Sequence, residues 1–393
     1  MDGESGRDLQ PLEHPGGPER EPGSRRRLAL CLCGGGATGA AYEIGVLAAL
    51  EVALPGFSIH DFDIIVGTSA GSLVGALVAA GVPIQRLYRS VLDNDDFFRI
   101  DRTDVYKLDW RDFAWKIGRI GKAAARVGQR LLRDPLHTLG SADLSTLAAA
   151  LPDGLFSLSG YIEWVDRFMA RNGLARHFDQ IRPALIIPTN DLDTGHREVF
   201  GRGWRIDASI PEAIGASSAI PLFFAPVRIH GRDYVDGGTG RVAHVDLAAG
   251  ATHVLVLNPV VPWNLERRMR EFRSDDSEMH EASLSRIRSR GMLAIWNQTF
   301  RMSNNVKLHM SLRRFRADKP DVGMALIEPD ERDETLFVVN PMDTAARARI
   351  ARHAYDSTIQ RLREGDEAVR AVCLGLPHAP TLDGLRRRRK VVV

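Results

Sequence analysis

Apolar residues along this chain come in short unbroken runs set between polar or glycine-rich breaks. The runs at 28–33, 64–66, 184–189, 197–200, 227–235, 254–258 and 335–339 have the length of strands. Most of them lack a polar alternate, so they read as strands covered on both faces. Over 40–52, 72–80, 144–150, 159–171, 211–217 and 345–372 the apolar positions recur instead at three- and four-residue spacing, which predicts helices. Strand and helix alternate, and no internal repeat interrupts them. The expectation is an α/β fold of three layers, with a central, mostly parallel sheet and helices on both faces.

Two of the strand runs end in glycine-framed turns. The first is followed by Gly34-Gly35-Gly36-Ala37-Thr38-Gly39, the second by Gly67-Thr68-Ser69-Ala70-Gly71. Parallel strands would bring both turns to the same sheet edge. The second turn has the Gly-x-Ser-x-Gly form of a nucleophile elbow, where a strained turn pushes the Ser69 hydroxyl outward and Gly67 and Gly71 remove the side chains that would clash. Taken without its neighbours, the same turn only packs a helix closely on a sheet, with Ser69 as its cap. The first turn also satisfies the Gly-x-Gly-x-x-Gly fingerprint of dinucleotide folds, and Asp61 or Asp63 lies at the distance expected of a ribose ligand. Either way, backbone N–H groups at a helix start hold negative charge, on a pyrophosphate or on a tetrahedral oxyanion. A dinucleotide site has no use for an elbow on the next strand, whereas an esterase requires one. Gly34, Gly35 and Gly36 are therefore read as an oxyanion hole, with a dinucleotide-dependent oxidoreductase kept as an alternative. A P-loop is excluded, because Ala40 and Ala41 stand where Lys and Ser/Thr would follow.

A serine nucleophile needs a base. The α/β-hydrolase order of Ser, acid, His asks for a late histidine, and the late ones are His230, His244, His253, His280, His309, His353 and His378. None sits in a turn that would present it; His253 opens an apolar run and reads as a strand-edge residue. The better candidate is Asp236, at the end of the run Arg232-Asp-Tyr-Val-Asp236-Gly237-Gly238, where glycines let a partner approach. Asp-Gly pairs are ordinary turn formers, so only the combination with the elbow makes Asp236 a base. A Ser-Asp-His esterase remains as a further reading.

Three motifs in this order, Gly34 to Gly39, Gly67 to Gly71 and Asp236 to Gly238, resemble those of the patatin-like phospholipase family. Asp191-Leu-Asp-Thr-Gly195 and Ala216-Ser-Ser-Ala-Ile-Pro221 are similar to two further stretches of that family, and the resemblance covers residues 28 to about 260. It implies the patatin-like variant of the three-layer fold and a Ser69/Asp236 dyad hydrolysing acyl esters of lipids, with no histidine, metal or cofactor. One departure is Thr38, which stands where the family usually carries Arg or Lys. The alternative within the same fold is a lipid-binding or regulatory protein that has lost turnover.

Composition changes this picture little. Of 393 residues 44% are hydrophobic, enough for a sizeable core, and the formal net charge of +2 gives no general nucleic-acid signal. Cys31, Cys33 and Cys373 form neither a disulfide framework nor a metal-ligand cluster, and a reducing, cytoplasmic setting is the default. Residues 1–26 are read as a disordered tail without a signal peptide, 27–375 as the catalytic domain, and 376–393 as a basic tail containing Arg386 to Lys390. No apolar stretch is long enough to span a membrane. Two segments, about 97–180 and 265–316, read as lid or insert sequence. In both, Trp, Phe and other apolar residues are interleaved with Arg and Lys, which fits either a lid helix on the core or peripheral contact with an anionic membrane surface.

Overall fold

The computed structural model describes residues 26–100, 153–263, 286–329 and 346–376. The tails expected at either end, the helix expected at 144–150 and the strand expected at 335–339 lie outside the described residues, as does most of the 97–180 segment. Eight strands form one sheet: β1 (Leu28–Leu32), β2 (Phe62–Gly67), β3 (Ala184–Asp191), β4 (Arg197–Gly201), β5 (Val227–Ile229), β6 (Arg232–Asp236), β7 (His253–Leu257) and β8 (Gly323–Ile327). Their spatial order is β5-β6-β3-β2-β1-β7-β8, with β4 also paired to β3. The run from β3 through β2, β1 and β7 to β8 is parallel, and the β3–β6, β3–β4 and β5–β6 pairs are antiparallel. β1 is an interior strand between β2 and β7, which is why every residue of its Leu-Ala-Leu-Cys-Leu sequence is buried.

The pleat of β1 divides the core in two. Leu28, Leu30 and Leu32 face one layer with Leu255 and Leu257 of β7, while Ala29 and Cys31 face the other with Val254 and Val256. On the first side pack α1 (Gly36–Ala53), α2 (Ala70–Ala79), α3 (Ile84–Asp93), α4 (Ser159–Arg171) and α5 (Ile210–Ser217). On the second side lies the long α6 (Met292–Asp318), which contributes Leu308, Leu312 and Phe315. Two later helices, α7 (Arg347–Arg363) and α8 (Glu367–Leu374), return to the first side. The molecule is thus the three-layer α/β sandwich that the alternation of patterns predicts.

α1 is buried on all sides from Thr38 to Leu50, because other helices and the sheet enclose it there. Gly45 lets α7 lie directly on it: a Cβ at that position would meet the Ala351 carbonyl oxygen at 2.2 Å. Burying Ile44, Leu47 and Leu50 contributes roughly 1.5–3 kcal/mol per side chain before ordering costs.

Several expected elements differ in detail. The single strand expected at 227–235 is a tight hairpin, because His230 and Gly231 both take positive φ and turn the chain between β5 and β6. The single helix expected at 345–372 is two helices, broken where Gly365 adopts φ +87° and Asp366 caps the next helix by accepting from the Val369 N–H. Neither α3 nor β8 is foreseen in the strand and helix pattern.

Candidate active site

β1 and β2 lie side by side in parallel register, with Leu32 opposite Gly67, so the turns that follow them emerge together at one sheet edge. At the second turn Ser69 takes φ 55° and ψ −132° as the residue capping α2. A non-glycine residue rarely adopts that backbone, and here it lifts the side chain off the strand line. The turn holds because neighbouring backbones come unusually near. A Cβ on Gly71 would lie 2.8 Å from the Leu32 carbonyl oxygen, and one on Gly34 would lie 2.4 Å from the Thr68 oxygen and 2.8 Å from the Ser69 Cβ. The first glycine turn is thereby pressed against the second.

Gly34, Gly35 and Gly36 all have positive φ, of 76°, 109° and 68°. The Gly34 N–H donates to Glu43 Oε1 at 2.9 Å, inside the core. Glu43 is fully buried, and that burial pushes its carboxyl well above the usual carboxylate range, so it serves as a neutral anchor for the loop. The Gly35 and Gly36 N–H groups find no acceptor among the described residues. Of the three amides expected to hold an oxyanion, one is therefore already committed and two are open. Thr38 is buried, and its hydroxyl donates to the Gly35 carbonyl at 3.4 Å, on the inner side of the same turn.

Asp236 ends β6, which pairs antiparallel with β3 and so points its C-terminus back to the Ser69 edge. Asp236 is 2% exposed; Oδ1 accepts from the Gly238 N–H at 2.7 Å, and Oδ2 is buried without a hydrogen-bond partner among the described residues. Burial pushes its pKa up to about 6, against the opposing pull of the Ser69 hydroxyl and the Gly238 amide. Asn190 of β3 fixes this turn, donating from Nδ2 to the Asp236 carbonyl and to Thr239 Oγ1, each at 2.9 Å. His244 is buried beneath it, with Nε2 3.3 Å from the Gly237 oxygen. Burial, together with the adjacent Arg197, depresses its pKa to about 3, so it is neutral at ordinary pH. Of the other late histidines, His230 contacts the Asp207 oxygen and His253 the Leu376 oxygen, and His280 and His378 lie outside the described residues.

The segment after α5 joins the two halves. Ser217 Oγ accepts the Ser69 N–H at 3.0 Å and donates to the Pro188 oxygen at 2.7 Å, and the Ala219 carbonyl accepts the Asp236 N–H at 3.0 Å. Ile220 and Phe224 then line a cavity of about 80 Å³ that reaches Ser69 and Gly36; its walls are mostly apolar side chains such as Ile44, Leu73 and Phe98, with Tyr161, Ser218 and Arg347 also in the lining. The arrangement offers a hydroxyl, an adjoining buried carboxyl, two open amides and an apolar slot at one point, which suits attack on an ester of an apolar acyl chain. Sequence reasoning finds Ser69, Asp236 and the glycines. It does not assign Ser217, Ala219, Asn190 or Glu43, and only Ser217 and Ala219 carry a local signal, through the Ala216 to Pro221 stretch.

Among the described residues no helix is long and apolar enough to cross a membrane. A family model described as Patatin-like phospholipase matches residues 30–249. A probable lipid hydrolase, 463L, of Invertebrate iridescent virus 6 is 20% identical over 220 residues, which is 54% of this chain and 61% of the viral protein. The chain thus spans less than two thirds of that relative. Among solved structures, VipD from Legionella pneumophila matches with a TM-score of 0.35 and 15% identity, over 86% of this chain and 67% of its own. The type III effector ExoU of Pseudomonas aeruginosa matches with a TM-score of 0.33 and 16% identity, over 86% and 53%.

Proposed function

This chain belongs to the patatin-like phospholipase family, and from that premise we propose that it is a serine acyl hydrolase cleaving lipid carboxylic esters with Ser69 as nucleophile and Asp236 as base. The observation that carries the reading is that Ser69 and a buried Asp236 carboxyl, whose Oδ2 has no hydrogen-bond partner among the described residues, stand at one sheet edge beside the apolar cavity. Asp236 takes the Ser69 proton as Oγ attacks the ester carbonyl, and the negative charge gathers on the carbonyl oxygen. The N–H groups of Gly35 and Gly36 receive that oxygen, while Gly34 keeps the loop in place through Glu43. When the tetrahedral species collapses, the proton on Asp236 passes to the leaving alcohol and an acyl-Ser69 remains. Water, deprotonated by Asp236, repeats the sequence and frees the fatty acid and the Ser69 hydroxyl. An ordinary aspartate would be a feeble base for a hydroxyl; desolvation raises its basicity, and an apolar substrate completes that desolvation.

The competing reading is a lipid-binding protein on the same scaffold. Incubation with a mixed lipid extract, followed by mass spectrometry of the products against a Ser69→Ala blank, separates the two. Free fatty acid released only by the wild type, together with fluorophosphonate labelling at Ser69, is the expected outcome. A wild type that neither labels nor releases fatty acid sinks the hydrolase and leaves the binder. A lipid ester is presented at an interface, so the reading includes peripheral contact with a membrane.

A further inference from the structure

α6 buries one line of side chains and leaves another apolar line in water. Leu308, Leu312 and Phe315 face the sheet, whereas Met292, Ile295, Met302, Val306 and Met310 are between 45% and 79% exposed. Their three-, seven- and four-residue spacings place all five on one side of the helix, along a stripe about 27 Å long at 1.5 Å per residue. Single exposed apolar residues are ordinary, but five large ones on one helix face, with only Thr299 and Ser303 among them, are the mark of a surface that is covered in use.

The charges around the stripe indicate by what. From Met292 the helix carries no acid until Asp318; of its cations Arg301 is buried, Lys307 and Arg316 are half-buried, and Arg313 and Arg314 reach the surface. Arg313 and Arg314 are exposed at one end of the stripe, and Arg286 and Arg288 at the other. Apolar residues flanked by arginines, without interspersed carboxylates, complement an anionic lipid surface, whereas two such faces meeting would bring like charges together. The position agrees. Trp296 packs on Phe223 with ring centroids 5.6 Å apart, next to the Ile220 and Phe224 that line the cavity, and Lys307 Nζ donates to the Thr239 oxygen three residues past Asp236. The stripe therefore borders the sheet edge on which Ser69 stands.

We propose that the exposed face of α6, from Met292 to Met310, is the surface by which this protein docks on bilayers containing anionic lipid. This deepens the lipid-hydrolase reading by naming how substrate reaches Ser69, but the docking itself does not depend on turnover. The test is flotation of the full chain with phosphatidylcholine vesicles, with and without phosphatidylglycerol, at low and high salt. Wild type is expected to float with the anionic vesicles and to be released as salt rises. A Val306→Glu/Met310→Glu double variant should lose about tenfold or more in vesicle recovery while hydrolysing a soluble short-chain ester at the wild-type rate. Val52→Glu, which alters an apolar residue of similar exposure on α1, should float like wild type. Failure of the wild type to float, undiminished flotation of the double variant or equal loss in Val52→Glu overturns the proposal, as does a wild-type dimer that the double variant dissociates. Vesicle binding as expected with no ester hydrolysis by wild type would sink the Ser69 mechanism and leave the docking face standing.

Discussion

Ser69 carries its hydroxyl on a backbone conformation that costs an L-residue on the order of 1–3 kcal/mol. Ser69→Ala should abolish ester hydrolysis and leave that strain in place, whereas Ser69→Gly should be equally inactive but more resistant to urea, by about 1 kcal/mol. Equal or lower stability of the glycine variant would mean that the elbow stores no strain. Asp236 gives two pH signatures. Its carboxylate is the working form, so kcat/KM should climb with pH through about 6 and level off above it. A bell centred on a histidine, or a profile flat down to pH 4, would remove Asp236 from the mechanism. The folded protein holds this proton more tightly than the unfolded chain does. Stability should therefore fall as pH rises from about 4 to about 6, with the whole cost, on the order of 3 kcal/mol, present above pH 6. Asp236→Asn should then be inactive yet more stable than wild type at pH 8, with the two denaturation curves converging near pH 4. Both residues are legible in the sequence because turn chemistry is local: Gly-x-Ser-x-Gly and Asp-Gly-Gly announce their backbones within five residues. Ser217 is not, since its significance lies in holding the N–H of a residue 148 positions away.

Elements locate these residues, and α1 does more of this than its position in the sequence suggests. It begins at Gly36, carries the Glu43 that fixes Gly34, and presents Gly45 to α7. Glu43→Gln keeps an oxygen for the Gly34 N–H and replaces a group already neutral, so its stability should stay within about 1 kcal/mol of wild type. Glu43→Leu strands that N–H and should cost about 1–3 kcal/mol, with a larger loss in kcat than in KM because the open amides shift. A leucine variant with wild-type kcat would separate Glu43 from the glycine turn. Gly45→Val drives a side chain into the Ala351 carbonyl and should lower unfolding free energy by about 2–3 kcal/mol, measured by denaturant titration. Element type follows hydrophobic period well here, and α4 begins and ends where the spacing places it. The failures have physical causes. His230-Gly231 makes a hairpin without the usual Asn-Gly signature, so a continuous apolar-polar run conceals the turn. The break at Gly365 was readable, since a glycine followed by aspartate ends one helix and caps the next, but the apolar period runs across it unbroken. β8 is only five residues long, and although Pro320 and Asp321 end the helix before it, a run that short does not by itself announce a strand.

At the scale of the molecule the parallel core, with both glycine turns at one edge, follows from the alternation of strand and helix. Which helix closes which face does not, because faces are assigned by contacts between distant segments. Every residue proposed to react lies between Gly34 and Asp236, yet α7 lies along α1, and β8 completes the run beside β7. A protein ending at residue 329 should lose cooperative unfolding and ester hydrolysis together, as followed by circular dichroism melting, because α1 would be stripped of its outer cover. Retention of both would show that the later helices are ornaments. The order of synthesis gives the α1–α7 contact a temporal meaning. The ribosome releases Ser69 and Asp236 more than a hundred residues before α7, the helix that covers α1. The proposed hydrolase activity should thus appear only late in translation, once α7 has covered α1.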